Sequence, residues 1–247
     1  MILSGKNAIV TGASRGIGRA IVEAFAESGA SIWAHARKDT REFRADMEAV
    51  AKSNGVVIEP VFFDVTDAPA TKAAVKQIAG STRPVDVLVN NAGVAHGGLF
   101  QMTSISTIRE IFEVNFFSVL ELTQSVVRLM QKKRNGSIIN MASVAGLDLK
   151  SGNIAYGVSK AALIAATKTL AAELGASGIR VNAIAPGLTD TSMADLMEKG
   201  ARQSMIDRSS LRRLALPREI ANVAVFLASD MASFVTGHVL CADGGSI

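Results

Sequence analysis

The sequence lacks the features of a disulfide-stabilised, metal-binding or membrane-spanning protein. Its 247 residues include one cysteine, Cys241, so no internal disulfide can form, which suits a reducing compartment. The three histidines are scattered without metal-ligand spacing, so we predict no metal site. No apolar run is as long as the roughly 18 residues needed to span a bilayer. The first residues lack the charged and apolar regions of a signal peptide. We therefore expect a cytoplasmic protein with no membrane partner.

The excess of positive charge is small and dispersed. The chain has 26 lysines and arginines against 22 acidic residues, a net charge of +4, which could attract anionic cofactors, an acidic protein or nucleic acid. The densest run, Lys132-Lys133-Arg134, precedes Asn135-Gly136 and predicts a helix end and a turn. No nucleic-acid motif accompanies it, so we expect no nucleic-acid partner. A solvated face and a site for an acidic partner both remain open for this run.

Short apolar or β-branched runs alternate with longer amphipathic stretches along the whole chain. Seven such runs occur, at residues 8–10, 31–34, 56–61, 85–89, 137–140, 180–184 and 238–240. This alternation predicts a mainly parallel, seven-stranded sheet with helices on both faces. Because no linker, repeat or low-complexity segment interrupts it, we predict a single doubly wound α/β domain of the Rossmann type over residues 1–247.

A glycine-rich loop follows the first predicted strand and precedes an amphipathic helix. Its spacing is Gly-x-x-x-Gly-x-Gly, and the residues predicted to bind a dinucleotide are Gly12, Ser14, Arg15, Gly16, Ile17 and Gly18. Glycines let the backbone approach a pyrophosphate, and the helix N-terminus supplies unpaired N–H groups. A purely structural glycine-rich turn is the alternative.

The end of the second strand indicates which dinucleotide is bound. NAD-binding proteins of this type carry an acidic residue there to hold the ribose hydroxyls. Ala36 stands at that place instead and Arg37 follows it, while the rival acid, Asp39, lies three residues beyond Ala36. Because arginine pairs well with phosphate, Arg37 and Arg15 together favour the 2′-phosphate of NADP(H).

Asp64 and Val65 follow the third predicted strand and are placed to meet the adenine. An aspartate there can accept a hydrogen bond from the exocyclic amine. The alternative is a helix cap shared with Asp67.

Tyr156 and Lys160 are four residues apart in a segment that reads as a helix, and Tyr156 is the only tyrosine. Residues with this spacing share one helix face. An ammonium beside a phenol lowers the pKa of the phenol, so Tyr156 could exchange a proton with a carbonyl or alcohol near neutral pH.

The spacer from Leu188 to Leu216 differs from the rest of the chain, since it carries Met193, Met197 and Met205 among charged residues. Methionine suits adaptable apolar surfaces, so we predict a mobile lid over a substrate pocket. Two ordinary surface helices are the alternative.

Several motifs together resemble the short-chain dehydrogenases/reductases, nearly from end to end. They are Thr11–Gly18, Asn90-Asn91-Ala92-Gly93, Asn115, Ser143, Tyr156-x-x-x-Lys160, Pro186-Gly187 and Ala242-Asp243-Gly244-Gly245. Within that family the chain is most similar to the 3-oxoacyl-acyl-carrier-protein reductases, through residues 88–93, 132–140 and 225–230.

The resemblance implies a catalytic set of four residues. Tyr156 would donate a proton to the carbonyl oxygen, and Lys160 would lower the phenol's pKa and bind the nicotinamide ribose. Ser143 would orient the carbonyl, and Asn115 would hold a water that links Lys160 to solvent. Taken alone, Ser143 is also consistent with a helix cap, and Asn115 with a buried polar residue that kinks a helix.

The resemblance also implies further cofactor contacts. Asn91, Ala92 and Gly93 would support the sheet and pass close to the adenine ribose. Pro186, Gly187, Leu188 and Thr189 would meet the nicotinamide carboxamide, while Tyr156 and Lys160 also touch the cofactor.

The expected function is NADPH-dependent reduction of 3-oxoacyl thioesters, carried by acyl-carrier protein or coenzyme A. A sugar, polyol or other small-alcohol dehydrogenase and a non-catalytic NADP-sensing or scaffold protein are the alternatives. Family members commonly form tetramers through helices that match residues 107–133 and 154–177, so a homotetramer is expected. Arg128, Lys132 and Lys133 could dock an acidic carrier protein, but Ala172 stands where related reductases often have a basic residue.

Overall fold

The computed structural model describes residues 1–192, 194 and 199–246. The strands are β1 (Asn7–Val10), β2 (Ser31–Ala36), β3 (Ile58–Phe62), β4 (Val87–Asn90), β5 (Gly136–Met141), β6 (Ile179–Pro186) and β7 (Val239–Ala242). The α-helices are α1 (Gly16–Glu27), α2 (Arg41–Asn54), α3 (Ala68–Ala79), α4 (Ile105–Phe112), α5 (Ser118–Lys133), α6 (Tyr156–Leu174), α7 (Lys199–Arg208) and α8 (Pro217–Ala228).

The seven strands form one sheet in the order β3-β2-β1-β4-β5-β6-β7, and every pairing is parallel. The predicted seven-stranded, doubly wound sheet is therefore confirmed. The strand order reverses between β1 and β4, and ligands of such sheets bind in the crevice outside the carboxyl ends at that point.

Helices cover both faces of the sheet because the strands are apolar on both sides. One core layer packs α1 and α8 on the sheet through side chains such as Ile21, Phe25 and Leu227. The opposite layer packs α3 and α5 through Val75, Leu122 and Met130. β1, β4 and β5 are buried along their whole length, as central parallel strands require.

The helix predicted over residues 107–133 is not continuous. α4 ends at Phe112, a single π-helical turn spans Glu113–Phe117, and α5 begins at Ser118. Insertions of this kind are rare and occur frequently at functional sites. Asn115 lies in the middle of this turn and is buried.

No helix in the described part of the chain is both long enough and apolar enough to cross a membrane. Within the same ranges no group of three or more histidine, cysteine, aspartate or glutamate side chains could hold a metal ion.

Candidate active site

Tyr156 is the first residue of α6, and Lys160 lies one turn further along the same helix face. The Lys160 ammonium donates a hydrogen bond to the carbonyl oxygen of Met141, the last residue of β5, at 2.8 Å. Its Nζ lies 5.8 Å from the centroid of the Tyr156 ring. Only 5% of Lys160 is exposed, so a cation is held inside the protein at the carboxyl edge of the sheet.

Burial moves the pKa values of both groups. It lowers the pKa of Lys160 from 10.5 to about 8, because the charged form loses its water. It also raises the pKa of the Tyr156 phenol, while a hydrogen bond with Ser143 lowers that pKa by less. The net pKa of the phenol is thus raised in the protein chain, because desolvation outweighs the hydrogen bond with Ser143. A phenol with a raised pKa stays protonated at neutral pH and is ready to donate.

Ser143 lies two residues beyond the end of β5 and is buried against Tyr156. Its Oγ accepts a hydrogen bond from the Ala145 amide at 3.1 Å, which caps the short 3₁₀ helix Val144–Gly146. The cap and the contact with the Tyr156 hydroxyl therefore occur together. The two hydroxyl groups converge on one point from different elements.

The side chain of Asn115 is fully buried and holds the loop after β4. Its Oδ1 accepts from the Val94 amide and its Nδ2 donates to the Val94 carbonyl, both at 2.9 Å. The second Nδ2 hydrogen goes to Ser159 Oγ at 3.1 Å, and Ser159 in turn donates to the carbonyl of Tyr156 at 2.7 Å. Both amide hydrogens are thus used, one to hold the loop at Val94 and one to tie the π-helical turn to α6 through Ser159, and one lone pair of Oδ1 remains for another donor.

Gly93 lies next to the side chains of Asn115 and Lys160. A Cβ at Gly93 would lie 3.1 Å from Asn115 Oδ1 and 3.4 Å from Lys160 Nζ. The buried amide and ammonium groups of the site therefore leave little room for a side chain at this position.

The glycine-rich loop is shaped by close backbone packing. Gly12 has a φ of 65°, and a Cβ there would lie 3.0 Å from the Cα of Ala92. A Cβ on Gly18 would collide with the Gly12 carbonyl oxygen and with Nδ2 of Asn91. Asn91 uses that Nδ2 to hold the carbonyls of Thr11 and Gly12, at 2.9 and 3.2 Å. Asn91 thus shapes the loop from the neighbouring strand.

The cationic side chains predicted for the cofactor phosphate are available. Arg15 precedes α1, Arg37 follows β2, and both are exposed. Arg37 is close enough to Asp64 to help lower the pKa of that carboxyl. Asp39, the rival acid, receives two hydrogen bonds from the Arg44 guanidinium at 2.6 and 2.7 Å. That contact lowers the pKa of Asp39 and directs its carboxylate toward α2.

Asp64 does not cap α3, since Asp67 does so by accepting from the Ala70 amide at 2.9 Å. Asp64 instead accepts from the amide and hydroxyl of Thr66 through Oδ1, which lowers the pKa of its carboxyl. Its other oxygen has no partner in the part of the chain that the structure describes, and Val65 beside it is half-buried.

The segment after β6 closes against the glycine-rich loop and the C-terminal tail. Gly187 has its amide bonded to the Ala242 carbonyl at 3.0 Å, and a Cβ there would lie 2.7 Å from the Cα of Asp243. The Thr189 hydroxyl donates to the Gly187 carbonyl at 3.1 Å. A Cβ on Gly16 would meet Thr191 at 3.2 Å, so the two loops touch. Pro186 and Leu188 flank Gly187 on the same edge.

The two ends of the predicted lid are joined to each other. The Asp190 amide donates to the Ala215 carbonyl at 2.9 Å, and the Ala215 amide donates to the Leu188 carbonyl at 3.0 Å. α7 occupies the part between them, and Met205 lies on it. Met193 and Met197 lie outside the described residues. The C-terminal tail contacts the end of α7 and the residues after it, since Ser209 Oγ donates to the Gly244 carbonyl at 3.0 Å.

Sequence reasoning missed two sets of polar residues. Thr11 and His35 hold the glycine-rich loop: Thr11 Oγ1 accepts from the amides of Asn91 and Ala92, and His35 contacts Gly12. A buried chain of hydrogen bonds between β4, β5 and α6 links Asn90 to Asn140 at 2.8 Å and Asn140 to Thr167 at 2.9 Å. The available signal was a polar residue at the same place in otherwise apolar strands, as in Val-Leu-Val-Asn and Ser-Ile-Ile-Asn.

A dinucleotide fits this edge of the sheet. The glycine-rich loop brings backbone N–H groups to the start of α1, and side chains at Gly12 or Gly18 would fill or distort it. Two exposed cations, Arg15 and Arg37, flank it on the side where the second strand ends. The buried ammonium of Lys160 and the hydroxyls of Ser143 and Tyr156 lie beyond it on the same edge.

Comparison with known proteins agrees with this geometry. A family model described as enoyl-(acyl carrier protein) reductase matches residues 12–246. The 3-oxoacyl-[acyl-carrier-protein] reductase FabG of Thermotoga maritima is 39% identical over 249 residues, covering 100% of both chains. The reductase of that name from Escherichia coli K12 is 37% identical, covering 99% of this chain and 98% of its own.

Two solved structures share the fold. A protein assigned as a short-chain alcohol dehydrogenase from Sinorhizobium meliloti 1021 has a TM-score of 0.92 and 37% identity, covering 99% of this chain and 97% of its own. One assigned as a gluconate dehydrogenase from Agrobacterium tumefaciens has a TM-score of 0.94 and 29% identity, covering 99% and 96%. The fold and site are those of an oxidoreductase that acts on CH–OH groups. The chain belongs to the short-chain dehydrogenase/reductase family.

Proposed function

We propose that the protein is an NADPH-dependent reductase that converts 3-oxoacyl thioesters to 3-hydroxyacyl thioesters. The observation that carries this proposal is the hydrogen bond between the Ser143 and Tyr156 side chains, with the buried Lys160 ammonium 5.8 Å from the centroid of the Tyr156 ring. The full-length relatives of the chain are named 3-oxoacyl-[acyl-carrier-protein] reductases. Two hydroxyl donors at one point suit a carbonyl oxygen, which becomes negative as it is reduced.

Tyr156 would give its proton to the carbonyl oxygen, and Ser143 would hold that oxygen by a hydrogen bond. When bound, the dinucleotide supplies the hydride that reduces the carbonyl carbon. The raised pKa of the Tyr156 phenol keeps the proton in place until the oxygen gains charge. Ser143 also fixes the direction of the Tyr156 hydroxyl before the substrate arrives.

Lys160 would stabilise the phenolate that forms once the proton has left. With a pKa of about 8 it is mostly an ammonium at neutral pH. A cation inside a poorly solvated site acts strongly on a charge that appears nearby. We propose that Asn115 takes part in proton resupply through the free lone pair on Oδ1, with its amide hydrogens fixing the loop at Val94.

The preference for NADPH is supported by Arg15 and Arg37, two exposed cations beside the glycine-rich loop, and by Ala36 at the end of β2. Asp39 cannot serve the ribose in this arrangement, because its carboxylate is held by Arg44. We further propose that Asp64, through its free oxygen, and Val65 bind the adenine.

A cationic cluster at the mouth of the site would meet the phosphate of a coenzyme A or acyl-carrier-protein thioester. Arg208, at the end of α7, contacts Asp148 at 3.1 Å, and Lys150 contacts the same carboxylate. Two cations share one anion, which leaves a net positive charge beside the loop that carries Ser143. Phosphate binds well to such groups.

The predicted docking run lies elsewhere. Lys133, the last residue of α5, contacts Asp86 just before β4 begins, at 3.3 Å. That is the amino edge of the sheet, opposite to Tyr156, because α5 runs antiparallel to the strands. Lys132 and Lys133 therefore do not line this chain's own active-site mouth, contrary to expectation. Arg128, one turn earlier on α5, is exposed.

We propose that residues 1–247 act as one domain, in which residues 188–216 form a lid. The two ends of this segment are joined by a backbone bridge between Thr189 and Ala215, and α7 lies between them. A homotetramer is supported by the outer face of α6, where Val158, Ala165 and Ala172 are exposed apolar or small side chains. A cytoplasmic location is supported by the use of NADPH and by the single cysteine.

The test is NADPH oxidation by the purified protein with four substrates in parallel. They are acetoacetyl-coenzyme A, the acetoacetyl ester of acyl-carrier protein, crotonyl-coenzyme A and a ketose. Turnover of the two acetoacetyl esters with little of the others is the expected result. Turnover of crotonyl-coenzyme A would instead assign the C=C reduction that the family description names, and turnover of the ketose alone would favour a sugar dehydrogenase. NADPH binding without turnover of any substrate would indicate a non-catalytic sensor.

A further inference from the structure

His35 lies inside the protein between the glycine-rich loop and the end of β3. It is the fifth residue of β2 and is 2% exposed. Its ring packs against the Phe63 ring, with centroids 4.0 Å apart. No catalytic step uses this residue, yet it touches both segments that would surround the adenine half of the dinucleotide.

The hydrogen bonds of the ring select one protonation state. Nδ1 lies 3.2 Å from the Gly12 amide nitrogen, which can only donate, so Nδ1 accepts. Nε2 lies 2.9 Å from the Phe63 carbonyl oxygen, which can only accept, so Nε2 carries the proton. The ring is therefore neutral, with its hydrogen on Nε2. A second proton would go to Nδ1 and would face the Gly12 N–H, so that the bond to Gly12 would break.

The surroundings hold the ring neutral. Burial lowers the pKa of His35, and the Phe63 carbonyl and the Asp64 carboxylate oppose this by less. Asp64 is the charged group that faces the ring from the segment after β3. Arg37 follows His35 by two residues and helps to lower the pKa of the Asp64 carboxyl. The glycine-rich loop presents backbone at Gly12 and Ala13, whose amides bond to the side chain and carbonyl of His35.

We propose that His35 is a positioning residue for the cofactor: in its neutral form it ties the Gly12 amide to the Phe63 carbonyl, and its protonation releases the pyrophosphate-binding loop. This inference rests on the proposed use of a dinucleotide. Gly12 has a left-handed φ of 65°, and its amide donates to Nδ1 of His35, so this bond fixes the direction of the Gly12 N–H. Phe63 lies directly before Asp64, so one imidazole links the pyrophosphate loop to the adenine segment.

The sign of the pH effect follows from the neutral state. The form that holds Gly12 is the deprotonated one, and its pKa lies below the ordinary value of 6.5. Tight binding is therefore complete above that pKa and is lost as the pH falls through it. The 2′-phosphate of NADPH also titrates, near pH 6, so the effect of His35 must be separated from it.

Two variants separate the two nitrogens. In His35→Asn the amide oxygen can take the place of Nδ1 and accept from Gly12, while in His35→Gln the amide nitrogen can take the place of Nε2 and donate to Phe63. The dissociation constant for NADPH is measured by nucleotide fluorescence between pH 5 and 8, without substrate, together with the melting temperature of each variant. His35→Asn should bind within about threefold of wild type at pH 7.5 and lose the part of the pH dependence that belongs to His35. His35→Gln should bind about tenfold more weakly, the effect of one hydrogen bond.

Equal dissociation constants for both variants and wild type would overturn the proposal, as would a full wild-type pH dependence in His35→Asn. Equal loss of melting temperature with no difference in binding would show a merely structural role and would also overturn it. Failure of the wild-type protein to bind either NADPH or NADH would instead refute the proposed function, so the two failures can be told apart.

Discussion

The buried ammonium of Lys160 should cost the protein stability, and replacing Lys160 by methionine tests this. Methionine has a similar length and no charge, so Lys160→Met removes the buried cation without opening a large cavity. Burial lowers the pKa of Lys160 from 10.5 to about 8. A shift of this size corresponds to about 3 kcal/mol against folding at pH 7.

Part of the stability that Lys160→Met gains by removing the buried charge is cancelled by the loss of a hydrogen bond. The ammonium donates to the Met141 carbonyl at 2.8 Å, and losing a buried hydrogen bond costs about 1 kcal/mol. The net stabilisation is then about 2 kcal/mol. For a chain of this size each kcal/mol raises the melting temperature by about 2–4 °C, so Lys160→Met should melt about 4–8 °C higher than wild type at pH 7.

The difference should also depend on pH in a defined direction. Below the folded-state pKa of about 8 the full cost of the buried charge is present in wild type. As the pH rises from there toward 10.5, folded Lys160 is neutral while the unfolded chain still binds a proton, so wild type becomes relatively more stable. The advantage of Lys160→Met should shrink by about 1 kcal/mol between pH 7 and pH 9.

The measurement is thermal unfolding of both proteins by circular dichroism at pH 7, 8 and 9. Lys72→Met is the matched control, since Lys72 lies on α3 and is exposed. It should leave the melting temperature unchanged at all three pH values. A Lys160→Met protein that melts at or below the wild-type temperature, or whose advantage does not change with pH, would refute the reasoning. Lys160→Met should at the same time lose reductase activity, because the ammonium that lowers stability is the group proposed to stabilise the Tyr156 phenolate.

Three further outcomes are expected. Tyr156→Phe should lower kcat by about 10²- to 10⁴-fold, the effect of a general acid, while stopped-flow titration gives an NADPH dissociation constant within about twofold of wild type; retained turnover would exclude Tyr156 as the proton donor. Arg37→Glu should weaken NADPH binding by about 10- to 100-fold, as the loss of a charge-assisted hydrogen bond predicts, with little change for NADH; equal effects on both nucleotides would contradict binding of the 2′-phosphate. Arg208→Ala should raise KM for acetoacetyl-coenzyme A several-fold without changing kcat, whereas Lys132→Ala, at the opposite edge of the sheet, should change neither; the reverse pattern would place the carrier site on α5.

Much of the fold could be predicted because its signals are local. Each strand is a short apolar run, each helix an amphipathic stretch, and both patterns depend only on spacing along the chain. The Tyr156–Lys160 pair and the glycine-rich loop were visible for the same reason. The boundaries that failed were those set by neighbours, such as the π-helical turn at Asn115, where the Val94 backbone and Ser159 take hydrogen bonds from the buried amide.

The electrostatics of the site could not be predicted in this way. Spacing brings Lys160 to the helix face of Tyr156, but the direction of the Tyr156 pKa depends on how much water the folded chain excludes. The partner of Asp39 could not be predicted either. Its position in the sequence is close to that of a ribose-binding acid, but in the fold its carboxylate accepts two hydrogen bonds from Arg44. The sequence suggests that Lys133 could dock a carrier protein, but α5 runs antiparallel to the strands, which brings Lys133 next to Asp86.

Residue order along the chain was thus enough to predict the α/β class, the glycine-rich loop and the Tyr156–Lys160 pair, because these follow from patterns of a few residues. Ser143 and Asn115 were predicted only through the family resemblance. Contacts between residues far apart in the chain settled the rest: His35 with Gly12 and Phe63, Gly93 against Asn115 and Lys160, and the mouth cations around Asp148. Those contacts arise only when separate strands end at one edge of the sheet, where burial and hydrogen bonding change what each side chain can do.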